Sequence, residues 1–178
     1  MMPMISQAQT PHLVLGGAKS GKSTYAESLV AAYPAPHIYV ATAQVLDEEM
    51  AQRVQLHQKR REVSWETVES PVELVKTLGT FQGRQHAVLV DCITLWLSNL
   101  LLQTPNEHAE GALKDLVDFI KIAAFPLFLV SNEVGGGIVP DNPLARRFRD
   151  LAGLANQHLA AGCHTVTLVV AGIPLRLK

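Results

Sequence analysis

Residues 16–23 carry the backbone and side chains that could bind the phosphates of a nucleotide. Their sequence, Gly-Gly-Ala-Lys-Ser-Gly-Lys-Ser, matches the phosphate-binding loop G-x-x-x-x-G-K-[ST] at every defined position. Glycines in such a loop let the backbone turn tightly and point its N–H groups at phosphate oxygens, and the N-terminus of the following helix adds partial positive charge. The motif therefore predicts nucleotide binding, and not merely a glycine-rich turn, by Gly16, Gly17, Ala18, Lys19, Ser20, Gly21, Lys22 and Ser23.

Three side chains would give this loop its chemistry. Lys22 can reach the β- and γ-phosphates, and the Ser23 hydroxyl is placed to bind Mg²⁺. Asp91 ends an apolar run, where a carboxylate is costly unless it faces a cation or a bound water, so it is the expected second Mg²⁺ ligand. The alternative is that Asp91 caps a following helix. Kinases, GTPases and ATP-driven regulators share these parts, so they do not identify the acceptor.

His57 is a candidate nucleophile. It shares a helical face with Leu46, Met50 and Val54, and the basic run Gln58-Lys59-Arg60-Arg61 follows it in an otherwise neutral chain. A neutral imidazole beside cations can attack the α-phosphorus of a nucleotide. From spacing alone, a histidine at a helix C-terminus beside solvated basic residues is the favoured interpretation. The other six histidines have no metal-ligand spacing, and we expect no zinc site.

Short apolar runs alternate with segments of helical period, which predicts the elements that hold these residues. The predicted strands cover residues 12–15, 37–41, 87–91, 127–131 and 165–171, and residues 63–68 could add a strand or an edge hairpin. This alternation predicts an α/β fold with a mostly parallel sheet and helices on both faces.

Two helix starts are marked by their own residues. Ser70-Pro71-Val72-Glu73 predicts a helix capped by Ser70, and Asn142-Pro143 predicts a second one. The buried face of the second helix would carry Leu144, Phe148, Leu151, Ala155 and Leu159. Three arginines fall mainly off that face, and either solvated surface or ligand contact is open for Arg146, Arg147 and Arg149.

Length and composition limit the possible classes of protein. The 178 residues fit one catalytic domain over residues 12–178, with residues 1–11 as a flexible N-terminal extension. The net charge of −1 provides no basic field for nucleic acid or anionic membrane. No signal peptide and no apolar run near the roughly 20 residues of a membrane span is present, so we expect a cytoplasmic protein. Cys92 and Cys163 are expected to be small buried hydrophobes.

Several further segments, read together with the loop, resemble one family. They are residues 39–43, 47–54, His57, Trp65 with Glu69, and residues 91–94, 131–135, 137–142, 145–150 and 153–157. The chain from about residue 12 to its C-terminus resembles the bifunctional adenosylcobinamide kinase / adenosylcobinamide-phosphate guanylyltransferase of cobalamin biosynthesis. The most specific part of the resemblance is Asn-Glu-Val-Gly followed by Ile-Val-Pro and by Arg-Phe-Arg-Asp.

The resemblance implies two reactions on a P-loop NTPase fold with a RecA-like sheet. The aminopropanol hydroxyl of adenosylcobinamide would take the γ-phosphoryl group of ATP or GTP. GMP from GTP would then pass through a guanylyl-histidine at His57 to adenosylcobinamide phosphate, giving adenosylcobinamide-GDP. It also implies Mg²⁺ as cofactor and a homotrimer.

The family's site positions carry over to this sequence with small departures. Residues 16–23 would hold the triphosphate, and Ala41, Thr42 and Ala43 would line the nucleotide site. The remaining GTP contacts around His57 would come from Gln58, Lys59, Arg60, Arg61, Glu69 and Asp91. Lys19 stands where arginine is common, Leu56 stands where some members have a second histidine, and Gln58 and Lys59 vary the basic run.

Two other functions remain open for this sequence. One is a simple P-loop kinase for a small molecule, without a covalent step. The other is a GTP-binding regulatory module. A family member that has lost one activity is also compatible with the sequence, and the choice between ATP and GTP for the kinase step is open.

Overall fold

The computed structural model describes residues 9–44, 64–103 and 106–178. Within these ranges the strands are β1 (His12–Gly16), β2 (His37–Ala41), β3 (Trp65–Glu69), β4 (Val88–Asp91), β5 (Leu127–Asn132), β6 (Thr165–Val170) and β7 (Ile173–Arg176). The helices are α1 (Lys22–Val30), α2 (Leu74–Gly79), α3 (Ile93–Gln103), α4 (Asn106–Ile120) and α5 (Pro143–Gly162). The helix predicted over residues 46–57 lies outside the described residues.

The strands form one seven-stranded sheet in the order β3-β2-β4-β5-β1-β6-β7. All neighbouring pairs are parallel except β6 and β7. Strand β5 lies between β1, which leads into the phosphate loop, and β4, which ends at Asp91. The predicted P-loop NTPase fold with a mostly parallel sheet is confirmed, and all five predicted strands are present.

The two faces of the sheet are covered by different helices. Leu13 and Leu15 of β1 lie on one face of the sheet and pack with α2, α3, α4 and α5. Val14, between them, lies on the other face and packs with Ala26 and Val30 of α1. Because side chains of successive strand residues point to opposite faces, this alternation buries both sides of each central strand. Within the described ranges, no helix combines the length and apolar composition needed to cross a lipid bilayer.

Two details of the predicted strands differ in the structure. Of the segment predicted at 63–68, the described residues from Trp65 onwards belong to β3, a strand parallel to β2, and not to a hairpin. The predicted strand at 165–171 ends at Val170, because Ala171 (φ 50°) and Gly172 (φ 79°) form a left-handed turn into the antiparallel strand β7. The apolar run concealed this turn, since alanine rarely adopts a positive φ.

The two predicted helix starts have opposite outcomes. The side chain of Asn142 accepts from the amides of Leu144 (2.8 Å) and Ala145 (3.2 Å), so this cap is confirmed. The cap at Ser70 is wrong, because α2 begins only at Leu74. The Ser70 amide instead donates to the Ala41 carbonyl at 2.8 Å and continues the pairing between β3 and β2.

The buried face of α5 is shorter than predicted. Leu151, Ala155 and Leu159 are buried as expected, but Leu144 is 45% exposed and Phe148 is only half-buried. Leu144 lies in the first turn of the helix and lines a surface cavity of about 250 Å³ together with Phe148 and with Leu101 and Leu102 of α3.

Candidate functional site

The phosphate loop has the conformation that its glycines and Lys19 allow. Lys19 (φ 55°) and Gly21 (φ 92°) are both left-handed, and α1 begins directly at Lys22. A Cβ atom on Gly16 would clash with Ser20 Oγ and approach the Val169 carbonyl to 2.6 Å, so glycine is required there. A Cβ on Gly17 would meet open space, so packing does not require glycine at that position.

Lys22 is buried under this loop, where the described residues give its ammonium group a single polar partner. Its side chain is 9% exposed, and Nζ donates to the Gly17 carbonyl at 3.1 Å. Among the described residues, no carboxylate forms an ion pair with Lys22. A buried ammonium group is costly without a counter-charge, so the loop is built to receive an anion. Ser23 follows Lys22 on α1 and is half-buried, while Ser20 Oγ is buried without a hydrogen-bond partner.

The turn between β6 and β7 holds the far side of the loop. The Gly172 amide donates to the Ser20 carbonyl at 2.8 Å. A Cβ on Gly21 would lie 3.2 Å from the Gly172 Cα, so the two backbones are in close contact. Sequence reasoning missed this support, because Ser20 and Gly172 lie far apart in the chain and form no local pattern.

Asp91 lies at the same edge of the sheet, two strand spacings or roughly 10 Å from β1. Its Oδ2 accepts from the Tyr39 hydroxyl at 3.1 Å. In the described part of the chain, no amide of α3 donates to this carboxylate, so the capping alternative has no support. Burial and, to a smaller extent, the charge of Asp91 raise the pKa of the Cys92 thiol to about 11, against the lowering effects of hydrogen bonds with Leu95 and Thr94 and of the charge of Lys22. The charges of the loop lysine and of the Asp91 carboxylate therefore both act on this buried thiol.

Thr42 ties the ends of β2 and β4 together. Its hydroxyl donates to the Cys92 carbonyl (2.7 Å) and accepts from the Cys92 amide (2.8 Å), and its carbonyl accepts from Asn99 Nδ2 (2.8 Å). The side chain of Thr42 is fully buried and its hydroxyl is already used. Its neighbours Ala41 and Ala43 are half-buried at the same edge.

Among the predicted contacts that the structure describes, Glu69 lies farthest from the loop. It is exposed at the end of β3, in register with Ala41 of β2. Four strand spacings, roughly 19 Å, separate β3 from β1, so the sheet does not bring Glu69 to the loop. His57, Gln58, Lys59, Arg60 and Arg61 lie outside the described residues.

The end of β5 adds polar groups beside the loop. Asn132 is in register with Gly16, and its Nδ2 lies 4.0 Å from Cys92 Sγ. Its Oδ1 is buried without a hydrogen-bond partner, so a polar acceptor is available between Lys22 and Asp91. The sequence signal for this group was the Ser-Asn-Glu-Val-Gly segment, which indicated a family and not a position in the site.

The three arginines of α5 all have partners within the chain. Arg146 Nη1 donates to the carbonyls of Pro140 (2.9 Å) and Asp141 (2.6 Å). Arg147 pairs with Glu110 at 3.8 Å, and Arg149 pairs with the adjacent Asp150 at 2.9 Å. Arg146 thus braces the loop before α5, and the other two form exposed or partly exposed ion pairs that contribute little to stability.

Comparison with known proteins identifies relatives over nearly the whole chain. A family model described as "Cobinamide kinase / cobinamide phosphate guanyltransferase" matches residues 12–177. The "Bifunctional adenosylcobalamin biosynthesis protein CobP" of Pseudomonas aeruginosa is 43% identical, and the match covers 93% of this chain and 96% of that protein. The "Bifunctional adenosylcobalamin biosynthesis protein CobU" of Salmonella typhimurium is 41% identical, with 93% of this chain and 98% of that protein covered.

Among solved structures, the fold is similar to that of a prototypical ATPase from the type III secretion system of pathogenic bacteria. The TM-score is 0.51 at 12% identity, and the match covers 88% of this chain and 50% of that one. At this identity the likeness concerns the fold alone.

Proposed function

Because this chain belongs to the cobinamide kinase / cobinamide phosphate guanyltransferase family, we propose that it catalyses both reactions of that name. In the first, the aminopropanol hydroxyl of adenosylcobinamide takes the γ-phosphoryl group of ATP or GTP. In the second, adenosylcobinamide phosphate receives GMP from GTP, which gives adenosylcobinamide-GDP and releases pyrophosphate. Both reactions use one triphosphate site at the phosphate loop.

The buried Lys22 is the observation that carries this proposal. Its ammonium group has one carbonyl partner and no ion pair among the described residues, and it lies at the start of α1. A triphosphate on the loop would supply the missing negative charge, and Lys22 would stabilise the charge that develops on the transferred group. The same cation serves either reaction, because both break a phosphoanhydride bond of the bound triphosphate.

Ser23 and Asp91 suit Mg²⁺ as a pair. A hydroxyl and a carboxylate are the hard oxygen donors that Mg²⁺ takes together with phosphate oxygens. Tyr39 holds one oxygen of Asp91 and leaves the other available. When bound, Mg²⁺ neutralises charge on the phosphates that Lys22 and the loop amides orient. Ser20 Oγ and Asn132 Oδ1 are both buried without partners. The Ser20 hydroxyl could donate to a phosphate oxygen, and Asn132 Oδ1 could accept from a water bound to the cation.

We infer that His57 is the nucleophile of the guanylyl transfer. Support comes from the family membership and from the basic run at 58–61, which would hold the phosphates during attack. The imidazole nitrogen attacks the α-phosphorus, pyrophosphate leaves, and the phosphoramidate then passes GMP to the phosphate of the acceptor. In the same proposal, Ala41, Thr42, Ala43 and Glu69 contact the GTP that His57 attacks.

Thr42 would contact the nucleotide through its backbone, because its hydroxyl is already hydrogen-bonded to Cys92. Glu69 would contact only the nucleoside end of GTP, since β3 is the edge strand of the sheet on the side away from the phosphate loop. A homotrimer acting in the cytoplasm completes the proposal. The exposed apolar side chains of Ile173 and Leu175 on β7 are consistent with such an assembly, which sedimentation velocity measures directly.

The test supplies adenosylcobinamide with either [γ-³²P]ATP or [α-³²P]GTP and separates the corrinoid products by chromatography. We expect a phosphorylated corrinoid from the first nucleotide and a GDP-linked corrinoid from the second, with label retained on denatured protein after GTP. Phosphorylation alone would identify a simple kinase. Nucleotide binding without either product would identify a regulatory module.

A further inference from the structure

A carboxylate follows β5 directly beside the first residue of the phosphate loop. The Glu133 amide donates to the Gly16 carbonyl at 3.1 Å, which continues the pairing of β5 with β1 by one residue. The backbone of Glu133 is therefore fixed at the point where the loop begins. Its side chain is exposed at the carboxyl edge of the sheet, which is the edge where ligands of open α/β sheets bind.

One buried side chain fixes the direction of this carboxylate. Asn156 of α5 donates through Nδ2 to Glu133 Oε1 at 2.8 Å and to the Asn132 carbonyl at 3.1 Å. Asn156 Oδ1 accepts from the Ser131 hydroxyl at 2.7 Å, so the amide cannot flip without losing these bonds. Asn156 is 6% exposed in the middle of a helix that otherwise packs apolar residues at this level.

The network continues under the sheet edge to α3. The Ser131 hydroxyl lies 3.4 Å from Thr94 Oγ1, which accepts from the Asn132 amide at 2.7 Å. Ser131 and Thr94 are both buried. A buried polar network is costly unless every member is satisfied, and an apolar core would be simpler to pack. The network from Thr94 to Asn156 ends at a single exposed carboxylate, so its effect is to orient the side chain of Glu133.

We propose that Glu133 accepts the proton of the acceptor hydroxyl in the kinase step, an assignment that rests on the proposed function. Asn156 donates to Oε1, and none of the described residues donates to Oε2, which can therefore accept a proton. Asp91 is held by Tyr39 and assigned to the metal, so it is not available for this task. Glu133 is the carboxylate, among the described residues, whose own backbone is bonded to the loop.

The substrate hydroxyl oxygen forms a bond to the γ-phosphorus while the bond from that phosphorus to the β–γ bridging oxygen breaks. The hydroxyl proton moves to Glu133 Oε2 and then to solvent, and the nucleoside diphosphate leaves. The guanylyl transfer needs no such base, because neither an imidazole lone pair nor a phosphate oxyanion has a proton to lose on attack. Glu133 is therefore specific to one of the two reactions.

Glu133→Gln tests this selectivity, because glutamine keeps the acceptor for Asn156 and removes the base. We expect the kinase kcat to fall by about 10² to 10⁴, the range for loss of a general base, with the KM for ATP changed by less than about threefold. Labelling by [α-³²P]GTP and guanylyl transfer to supplied adenosylcobinamide phosphate should match the wild type. Glu66→Gln, an exposed carboxylate on β3, is the matched control.

Three results would contradict the assignment in distinguishable ways. A kinase kcat within about threefold of wild type would mean that Glu133 takes no proton. An equal loss in kinase and guanylyl transfer would mean that Glu133 only supports the loop. Absence of kinase activity in the wild-type protein would contradict the proposed function itself, and this assignment with it. Equal thermal midpoints of the two variants and the wild type exclude a folding defect.

Discussion

The sheet buries polar side chains at both ends of its strands, but their partners differ. At the amino ends, His12 and His37 pack against aromatic rings, and each places Nε2 on one protein oxygen, Thr167 Oγ1 at 2.9 Å and the Tyr33 carbonyl at 2.8 Å. At the carboxyl ends, the described residues give Lys22 one carbonyl partner and Asn132 Oδ1 none. Both ends leave some buried atoms unpaired.

The difference lies in charge. Burial, with a smaller effect of Arg176, lowers the pKa of His12 to about 4, so this ring is neutral and its unpaired nitrogen costs comparatively little. At the carboxyl ends, the buried ammonium group of Lys22 has no negatively charged partner among the described residues. Buried polar groups at the amino ends thus belong to the fold, and those at the carboxyl ends are the groups that we propose a bound nucleotide completes.

His57→Ala should have the largest effect and shows which end of the triphosphate reacts with the protein. We expect complete loss of covalent labelling by [α-³²P]GTP and of guanylyl transfer, with kinase activity retained, because only the α-phosphoryl reaction needs the imidazole. Gel autoradiography after denaturation measures the label, and His158→Gln, an exposed histidine of α5, is the control. Label that persists in the His57 variant would place the nucleophile elsewhere.

Asp91→Asn should lower both activities by about 10² and raise the Mg²⁺ concentration needed for half-maximal rate by at least about tenfold. Asparagine keeps an acceptor for Tyr39 and removes the charge that would hold the cation. Rate measurements across a Mg²⁺ titration check this, with Asp141→Asn as control. An unchanged Mg²⁺ dependence would return Asp91 to a structural role.

His12→Gln tests the amino end through stability and pH. Because the folded-state pKa of His12 is lowered to about 4, the unfolded chain binds the extra proton between pH 6.5 and about 4. The contribution of His12 to unfolding free energy is complete above pH 6.5 and declines as pH falls towards 4, by an upper limit of roughly 3 kcal/mol.

Urea unfolding at pH 7.5 and pH 5 measures this contribution. The His12→Gln variant should lose less stability on acidification than the wild type, while both of its activities at pH 7.5 stay within about twofold. His158→Gln should follow the wild-type pH dependence. An unfolding free energy of the His12 variant that depends on pH as in the wild type would contradict the role of His12 in stability. A specific loss of catalysis would contradict the claim that the polar groups at the amino ends serve only the fold.

The sequence predicted the parts of this site that are local in the chain. The phosphate loop, the strand before it and the cap at Asn142 each depend on residues within about eight positions of one another, and each is present. Parallel strands buried on both faces produce continuous apolar runs, which made the central strands visible.

What the sequence could not predict depends on contacts between distant segments. The support of the loop by Gly172 and the orientation of Glu133 by Asn156 join residues that share no period. The Ser70 cap failed because its amide was already paired with Ala41 of a neighbouring strand. The separation of Glu69 from the loop follows from strand order, which an alternating pattern of strands and helices does not specify.

Lys22→Ala tests most directly the central claim that one loop serves both reactions. The product assay with [γ-³²P]ATP and [α-³²P]GTP should show both rates reduced by on the order of 10³ or more, because the buried ammonium acts on the same triphosphate in each. Lys114→Ala, an exposed lysine paired with Asp118, should retain both rates. Loss of one activity with full retention of the other in the Lys22 variant would contradict a shared site.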